Sequence, residues 1–341
     1  MQSRVLIKLD DQQAELLRGA RAAWHRYLAA EDARSEVNGA VAWKTVKGRQ
    51  YLVRSWYDRH IGAKRSVSLG LRSPEIEATK ASFEARRAAA DKALEEATAP
   101  LDRLSRLGKA LRLGRLNTTA AEVLRELRRE QKLGAGLYVI GSAAVAGYEA
   151  RAGVFLSNGL ELAAGDLDLC TTLPDGEEAM EGMLPVLRRA DGSFRLHERA
   201  SAVNDRGFHV DLHLRRSLES WADNAQALEF SQRHLLLDAV RAAPIRTVAI
   251  AKNGMPVEMV CPDPRDFAAV RYAMFLTGLD RRPPGQAIAV GRLVQHCWPE
   301  KFSPSVLARF PDFAAKVAPV EPRSGDDGVL EDPDDRRLSG P

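Results

Sequence analysis

Three aspartates in the middle of the chain have the spacing of a metal-dependent catalytic site. Asp166 and Asp168 alternate with leucines in GDLDLC, and because side chains alternate between the faces of a strand, both carboxylates would share one face. Asp211, flanked by apolar residues in GFHVDLHL, would join them if the two strands pair. Carboxylates held side by side repel each other unless a cation lies between them, and oxygen ligands suit Mg²⁺. Three such carboxylates can hold two metal ions.

A Gly-Ser pair lies upstream of these aspartates. The segment GLYVIGSAAVAGYEA predicts a buried strand over residues 137–140, a tight turn at Gly141 and Ser142, and a helix that begins near Ala143. Glycine at such a turn lets the backbone approach a ligand closely. The free N–H groups of the following helix would face an anion, and the Ser142 hydroxyl would add a donor. The turn therefore predicts a phosphate-binding site.

Each of these features is weak when taken alone. A pair of aspartates spaced in this way also occurs in sugar-nucleotide glycosyltransferases, in metal-dependent hydrolases and in acidic turns. A metal-dependent nuclease or glycosyltransferase would leave the Gly-Ser turn and Asp211 unexplained. The order of strand, Gly-Ser turn, helix, strand with two aspartates and later strand with a third is much more specific.

This order resembles that of the DNA polymerase β-like nucleotidyltransferase superfamily. The chain looks most like a little-characterised bacterial branch of the superfamily with an N-terminal extension. The segments that carry this resemblance are YLVR, SLGLRSPE, GSAAVAGYEARAGV, GDLDL and PDPRDFAAVRYAMFL. The resemblance implies that Asp166, Asp168 and Asp211 hold two Mg²⁺ ions, with Asp211 also assisting an acceptor hydroxyl. It implies that Gly141 and Ser142 hold the phosphates of an NTP, for which ATP is the expected donor.

Two features depart from the pattern of the superfamily. The interval from Ser142 to Asp166 is longer than usual, which implies an inserted loop around residues 152–165. Related enzymes often present a lysine to the triphosphate from the helix after PDPRDF, whereas Arg271 occupies the comparable position here. A guanidinium keeps the charge but not the compact geometry of an ammonium. Arg271 is therefore a predicted phosphate ligand, with an exposed helix arginine as the alternative.

Several neighbouring residues allow two interpretations. His209 and His213 would lie on the same strand face as Asp211. They would act as proton relays or metal ligands, or they would be structural histidines. Arg215 and Arg216 follow that strand and would contact a triphosphate or remain solvated. The helix after the Gly-Ser turn carries two further residues, Tyr148 and Glu149, that would line the nucleotide site or support the inserted loop.

The other elements predict an α+β fold: a nucleotidyltransferase core with a small mixed sheet flanked by helices, after a mainly helical N-terminal region. The first thirty residues predict one helix, and residues 41–71 predict two or three antiparallel strands. Ser73-Pro74 predicts the start of a long helix that ends before Pro100, with further helices over residues 101–114 and 119–133. Thr119 and Glu122 have capping-box spacing.

The expected divisions are an N-terminal region (1–114), a core (115–280), a C-terminal helical segment (281–320) and a disordered tail (321–341). In the N-terminal region, aromatic and basic residues alternate, which would suit nucleic-acid stacking or the core of the small sheet itself. These residues are Trp43, Lys44, Lys47, Arg49, Tyr51, Arg54 and Trp56.

Composition narrows the class of protein without naming a substrate. The 341 residues are 45% hydrophobic and 28% charged, with a net charge of +4, and no apolar run has the length of a membrane span. The N-terminus lacks the core of a signal peptide, and three scattered cysteines lack metal-ligand spacing, so a cytoplasmic location is expected. An excess of arginine and lysine over residues 101–133 would suit a polyanion or form a solvated helix face.

The leading hypothesis is an enzyme that transfers a nucleoside monophosphate from an NTP to a hydroxyl of RNA, protein or a small molecule and releases pyrophosphate. The alternative is a catalytically silent module that binds nucleotide or nucleic acid, as in a toxin–antitoxin pair. The sequence leaves the acceptor, the preferred base and the oligomeric state open.

Overall fold

A computed structural model of the chain describes residues 6–58, 62–134, 136–157 and 165–318. Its strands, in chain order, are β1 (Leu6–Lys8), β2 (Ala40–Val46), β3 (Arg49–Asp58), β4 (Ala63–Leu71), β5 (Leu137–Val139), β6 (Val154–Leu156), β7 (Asp166–Thr171), β8 (Arg195–Leu196), β9 (Ser201–Val203), β10 (His209–Leu214), β11 (Ile245–Ile250) and β12 (Pro256–Cys261). Its helices are α1 (Asp11–Glu36), α2 (Pro74–Ala110), α3 (Thr118–Arg129), α4 (Ala143–Ala152), α5 (Gly176–Ala190), α6 (Arg215–Asn224), α7 (Phe230–Arg241), α8 (Pro264–Leu276), α9 (Gly285–Cys297), α10 (Pro304–Arg309) and α11 (Pro311–Val317).

The central element is a mixed sheet of five strands in the order β5-β7-β10-β9-β8. β7 and β10 are parallel neighbours, and the other pairings in this sheet are antiparallel. Helices α3, α4 and α5 pack around it, and a single hydrophobic cluster extends from Leu116 in front of α3 to Val317 in α11. This arrangement confirms the predicted α+β fold with a small mixed sheet flanked by helices.

The N-terminal region consists of the antiparallel pair α1 and α2 and a three-stranded sheet, β2-β3-β4. The prediction of one helix over the first thirty residues was wrong at both ends. β1 comes first and pairs with β6, and α1 then continues to Glu36. Asp10 begins α1 because its side chain accepts a hydrogen bond from the Gln13 amide, while the Gln13 side-chain oxygen accepts one from the Asp10 amide.

α2 continues through Pro100, where a helix end was predicted. Proline removes one N–H and crowds the carbonyl one turn earlier, yet Pro100 is exposed, so water can solvate the freed carbonyl. Leu101, directly after it, is buried against Trp24 of α1 and Val248 of β11. Packing on both sides of the proline therefore keeps the helix continuous. The predicted start at Ser73-Pro74 is confirmed, because the Ser73 side chain caps the Ile76 amide.

The predicted capping box at Thr119 and Glu122 was wrong. Asn117, two residues earlier, is the capping residue of α3, and its side chain accepts a hydrogen bond from the Thr119 amide.

Two arginines of the basic stretch are neutralised by acidic residues of other elements. Arg128 forms ion pairs with Glu31, Asp32 and Glu258, and Arg129 pairs with Glu31. These arginines join α3 to α1, which weakens the case for a polyanion at this position.

The predicted domain boundaries at 114/115 and 280/281 remain a proposal. Helices α9 and α11, which follow the second boundary, share the hydrophobic cluster of the mixed sheet. The predicted disordered tail and residues 158–164 of the predicted inserted loop lie outside the described residues. β6 occupies the described start of that loop. No helix within the described ranges is long and apolar enough to cross a membrane.

Candidate nucleotide-binding site

The parallel pairing of β7 with β10 brings the predicted aspartates to one face of the mixed sheet. Asp211 lies directly opposite Asp168, and His209 lies opposite Asp166. The intervening residues Leu167, Leu169 and Val210 are fully buried on the other face. All three carboxylates are half-buried, so they are open to a ligand from one side only. The alternation that the sequence predicted is therefore fixed by a buried apolar face behind it.

Gly141 lies against Asp168 at the end of β5. The Ile140 amide donates a hydrogen bond to the Asp168 carbonyl at 2.9 Å, and Gly141 has a φ of +67°. A Cβ atom added at Gly141 would overlap Oδ2 of Asp168 and lie 2.9 Å from its Cγ. Only glycine allows the turn and the carboxylate to pack so closely. Ser142 follows and is half-buried, without a capping hydrogen bond from its hydroxyl, and α4 begins at Ala143 as predicted.

A cavity of about 370 Å³ opens beside this contact. Gly141, Asp168 and His213 line it, and Arg271 and Arg282 contribute cationic groups to its wall. Most of the other lining residues are apolar and include Ile140, Leu218, Val240, Pro244, Pro262, Phe267, Val270, Met274 and Leu279. A cavity lined by charged groups together with many apolar side chains suits a ligand that has both a polyanionic and a flat apolar part.

Electrostatic repulsion is present among the three aspartates. Burial raises the pKa of Asp166, and the negative charges of Asp168 and Asp211 raise it further. Nε2 of His213 lies 3.0 Å from Oδ1 of Asp168, and this hydrogen bond raises the pKa of His213. In the part of the chain that the structure describes, no three His, Cys, Asp or Glu side chains form a ready metal-ligand set. The oxygen donors nevertheless have the chemistry that Mg²⁺ requires, and a substrate phosphate would supply further oxygens.

Arg271 lies on α8, as predicted, and its side chain is 19% exposed. It forms an ion pair with Asp280 at 3.1 Å. Asp280 also accepts hydrogen bonds from Nε of Arg282 at 3.0 Å and from its Nη2 at 3.2 Å. One carboxylate thus orients two guanidinium groups on the cavity wall. The sequence interpretation missed Arg282 and Asp280, although the run DRRPPG directly after a helix was a visible signal.

The sequence interpretation also missed Asp266, which lines the cavity. Burial raises the pKa of Asp266 to about 7, and the neighbouring charge of Asp263 adds to this effect. It is the second residue after Pro264, in the first turn of α8. The cavity therefore contains a carboxyl group whose charge changes near neutral pH, in addition to Asp168 on the sheet.

The remaining candidates have structural partners. The Tyr148 hydroxyl donates a hydrogen bond to the Pro262 carbonyl, and Glu149 accepts one from the Leu156 amide at 2.7 Å. Neither lines the cavity. Glu149 supports β6 at the start of the inserted loop, whereas Tyr148 supports the connection between β12 and α8. Arg215 forms an ion pair with Glu219 one turn later in α6.

His209 and Arg216 complete the set of candidates. The His209 ring contacts that of His197 at 5.2 Å between centroids. Arg216 is exposed in the first turn of α6. Of the two histidines that flank Asp211 on β10, His213 is the one that lines the cavity.

Comparison with known proteins gives one family. A family model described as a nucleotidyltransferase matches residues 118–304, which is more than half of the chain. The match contains every residue of the site, from Gly141 to Arg282. No curated protein and no solved structure matches the chain.

Proposed function

The chain belongs to this nucleotidyltransferase family, and on that premise we propose that it transfers a nucleoside monophosphate from an NTP to a hydroxyl acceptor. The resemblance noted in the sequence and the enzyme class it implied are thereby confirmed. The donor proposed is ATP. The observation that carries the proposal is that Gly141, Asp168, Arg271 and Arg282 line one cavity.

The proposed roles follow from where each group lies. Gly141 and Ser142 would bind phosphate at the N-terminal end of α4, where backbone N–H groups and the helix dipole favour an anion. Arg271 and Arg282, which line the same cavity, would bind the remaining phosphates, and Asp280 would orient both guanidinium groups. The apolar part of the cavity would receive the base.

We propose that two Mg²⁺ ions bind to Asp166, Asp168 and Asp211. Bound Mg²⁺ would neutralise charge on the phosphates and make a coordinated hydroxyl more acidic. The repulsion that raises the pKa of Asp166, together with the all-oxygen donor set, supports a cation at this position. The carboxylates would therefore be stabilised by the ligand they bind.

The transfer would form a bond between the acceptor oxygen and the α-phosphorus while the bond from that phosphorus to the bridging oxygen breaks. Pyrophosphate would leave with the electron pair, and Arg271 and Arg282 would stabilise its charge. Asp211 would accept the proton of the acceptor hydroxyl. RNA, protein and small molecules all carry suitable hydroxyl groups.

Incubation of the full chain with Mg²⁺, cellular RNA or protein, and each of four labelled NTPs tests this proposal. The wild-type chain should label an acceptor and release pyrophosphate, whereas D166N/D168N should do neither. Nucleotide binding without any labelled product would instead favour the catalytically silent module. Cleaved nucleic acid or transferred sugar in place of pyrophosphate would exclude nucleotidyl transfer.

A further inference from the structure

The small sheet β2-β3-β4 has two faces of different character. Arg54 lies over the rings of Trp56 in β3 and Phe83 in α2, at 5.5 and 5.3 Å from the ring centroids. A Cβ atom at Gly70 would meet Ile76 of α2. The face that carries Trp43, paired opposite the buried Leu52, is therefore the inner face against α2.

The outer face is basic and carries two tyrosines. Register places Lys44 opposite Tyr51, and Tyr57 opposite Lys64, while Arg49 pairs with Val46. The outer positions contain no acidic residue; they are Ala40, Ala42, Lys44, Val46, Arg49, Tyr51, Val53, Ser55, Tyr57, Lys64, Ser66, Ser68 and Leu71. The two interpretations of the aromatic-basic segment thus apply to opposite faces of one sheet.

The cations of this face are available to a partner. Lys44, Arg49 and Lys64 are exposed, and none of them forms an ion pair with another described residue. The Asp58 carboxylate, by contrast, pairs with Arg65 on the inner face. Tyr57 is 58% exposed, so its ring is open to stacking.

Between the two tyrosines the surface is flat. Small side chains, among them Ala42, Ser55 and Ser68, occupy the middle of the outer face. An extended chain could therefore cross the three strands and reach cations near both ends. Aromatic rings combined with cations along one path are the features by which proteins bind single-stranded nucleic acids.

The sheet also extends beyond the core. The last ion pair between α1 and α3 joins Asp32 to Arg128. Arg34, near the end of α1, forms an ion pair with Asp91 of α2. From Asp91, α2 continues back to Pro74 beside the sheet. At 1.5 Å per residue this extension is about 25 Å long. A long polyanionic molecule could contact this sheet and the core together, which a small acceptor could not.

From these observations we infer that the outer face of β2-β3-β4 binds single-stranded nucleic acid. Binding itself is independent of nucleotidyl transfer. The further statement that this strand is the acceptor rests on the proposed function.

Fluorescence anisotropy with labelled single-stranded RNA and DNA of 20 nucleotides, and a duplex of equal length, measures this binding in the full chain. K44A/R49A/K64A should lower the affinity for single strands about tenfold or more. The slope of log affinity against log salt concentration should fall by roughly two, which corresponds to about two fewer counterions released on binding. Y57A should lower it roughly fivefold or more without changing the salt dependence. R103A/R106A/K109A removes the same charge from exposed positions of α2 and should have little effect.

Equal losses in the two triple variants, or a preference for the duplex, would overturn the inference. So would a concentration-dependent dimer that K44A/R49A/K64A dissociates, because the face would then join two copies of the chain. If K44A/R49A/K64A loses nucleic-acid binding but still binds NTP, the two sites are separate. Loss of pyrophosphate release in D166N/D168N with unchanged RNA binding tests the proposed function alone.

Discussion

Nε2 of His213 lies 3.0 Å from Oδ1 of Asp168, on neighbouring parallel strands. The bond joins the central aspartate of the site to a histidine that is 45% exposed at the cavity. A metal-binding carboxylate is commonly oriented by a hydrogen bond of this kind. His213 thus has a specific partner, whereas the sequence alone left its role open.

Removing this partner should weaken metal binding. In H213A, Asp168 would lose the group that orients one of its oxygens, so the Mg²⁺ concentration for half-maximal activity should rise about 10-fold to 100-fold. A titration of activity against Mg²⁺ measures this. H209A is the matched control, because His209 flanks Asp211 from the other side without that bond. Similar shifts in both variants would mean that the bond itself is unimportant.

Gly141→Ala should abolish most activity through the Asp168 contact. The added methyl group would displace the Asp168 carboxylate, and a shift of about 1 Å in a catalytic group can lower the rate about 100-fold. Gly153→Ala is a close control, since Gly153 has a φ of +69° and nothing within 4 Å of its added Cβ atom. Both variants should lose about 1 kcal/mol of unfolding free energy from backbone strain.

Gly141→Ala and Gly153→Ala should differ in activity and not in stability. Rates and urea unfolding curves of both should be compared with those of wild type. If Gly153→Ala were as inactive as Gly141→Ala, strain in the backbone would explain the loss, and the contact with Asp168 would not.

Arg282→Ala should weaken nucleotide binding roughly tenfold or more, because a hydrogen bond to a charged phosphate is lost. Calorimetric titration with a non-hydrolysable NTP measures this without requiring turnover. Arg281→Ala removes the same charge from the adjacent position, which does not line the cavity, and should bind as wild type does. An unchanged affinity in Arg282→Ala would remove this residue from the phosphate site.

Glu149 should make folding stability depend on pH. Burial raises its pKa from 4.5 to about 7, although the ion pair with Arg115 opposes the shift. The folded chain therefore holds this proton more tightly than the unfolded chain. Its contribution is complete below about pH 4.5 and is lost as the pH rises through 7. The complete loss should be on the order of 3 kcal/mol.

The variant E149Q isolates this contribution, since glutamine cannot titrate but can still accept the hydrogen bond of the Leu156 amide. Urea unfolding of both proteins at pH 5 and pH 8 should show E149Q gaining relative to wild type at the higher pH. A constant difference between the two proteins would show that Glu149 does not titrate in this range.

Much of the site follows from local patterns in the sequence. Strand alternation places Asp166 and Asp168 on one face, and the order of the segments predicts the turn at Gly141 and the helix after it. The capping serine before Pro74 likewise predicts the start of α2. These features depend on residues a few positions apart, for which side-chain periodicity and backbone sterics are sufficient.

Long-range packing decided the rest. α2 passes Pro100 because Leu101 is buried against α1 and β11, a contact that outweighs the local preference of proline for a helix end. Arg128 and Arg129 are neutralised by acidic residues nearly one hundred positions earlier, a pairing that no local pattern in the sequence predicts.

The sequence by itself determined the candidate residues Asp166, Asp168 and Asp211, whereas the tertiary structure decided how they lie relative to one another. Parallel register sets Asp211 opposite Asp168, and the turn after α8 brings Arg282 to the cavity wall. Neither fact has a local signature, because register and helix packing are fixed by burial of apolar faces that are distant in the chain. Only folding placed Gly141, Asp168, Arg271 and Arg282 around one cavity, with Asp166 and Asp211 beside Asp168 on the sheet.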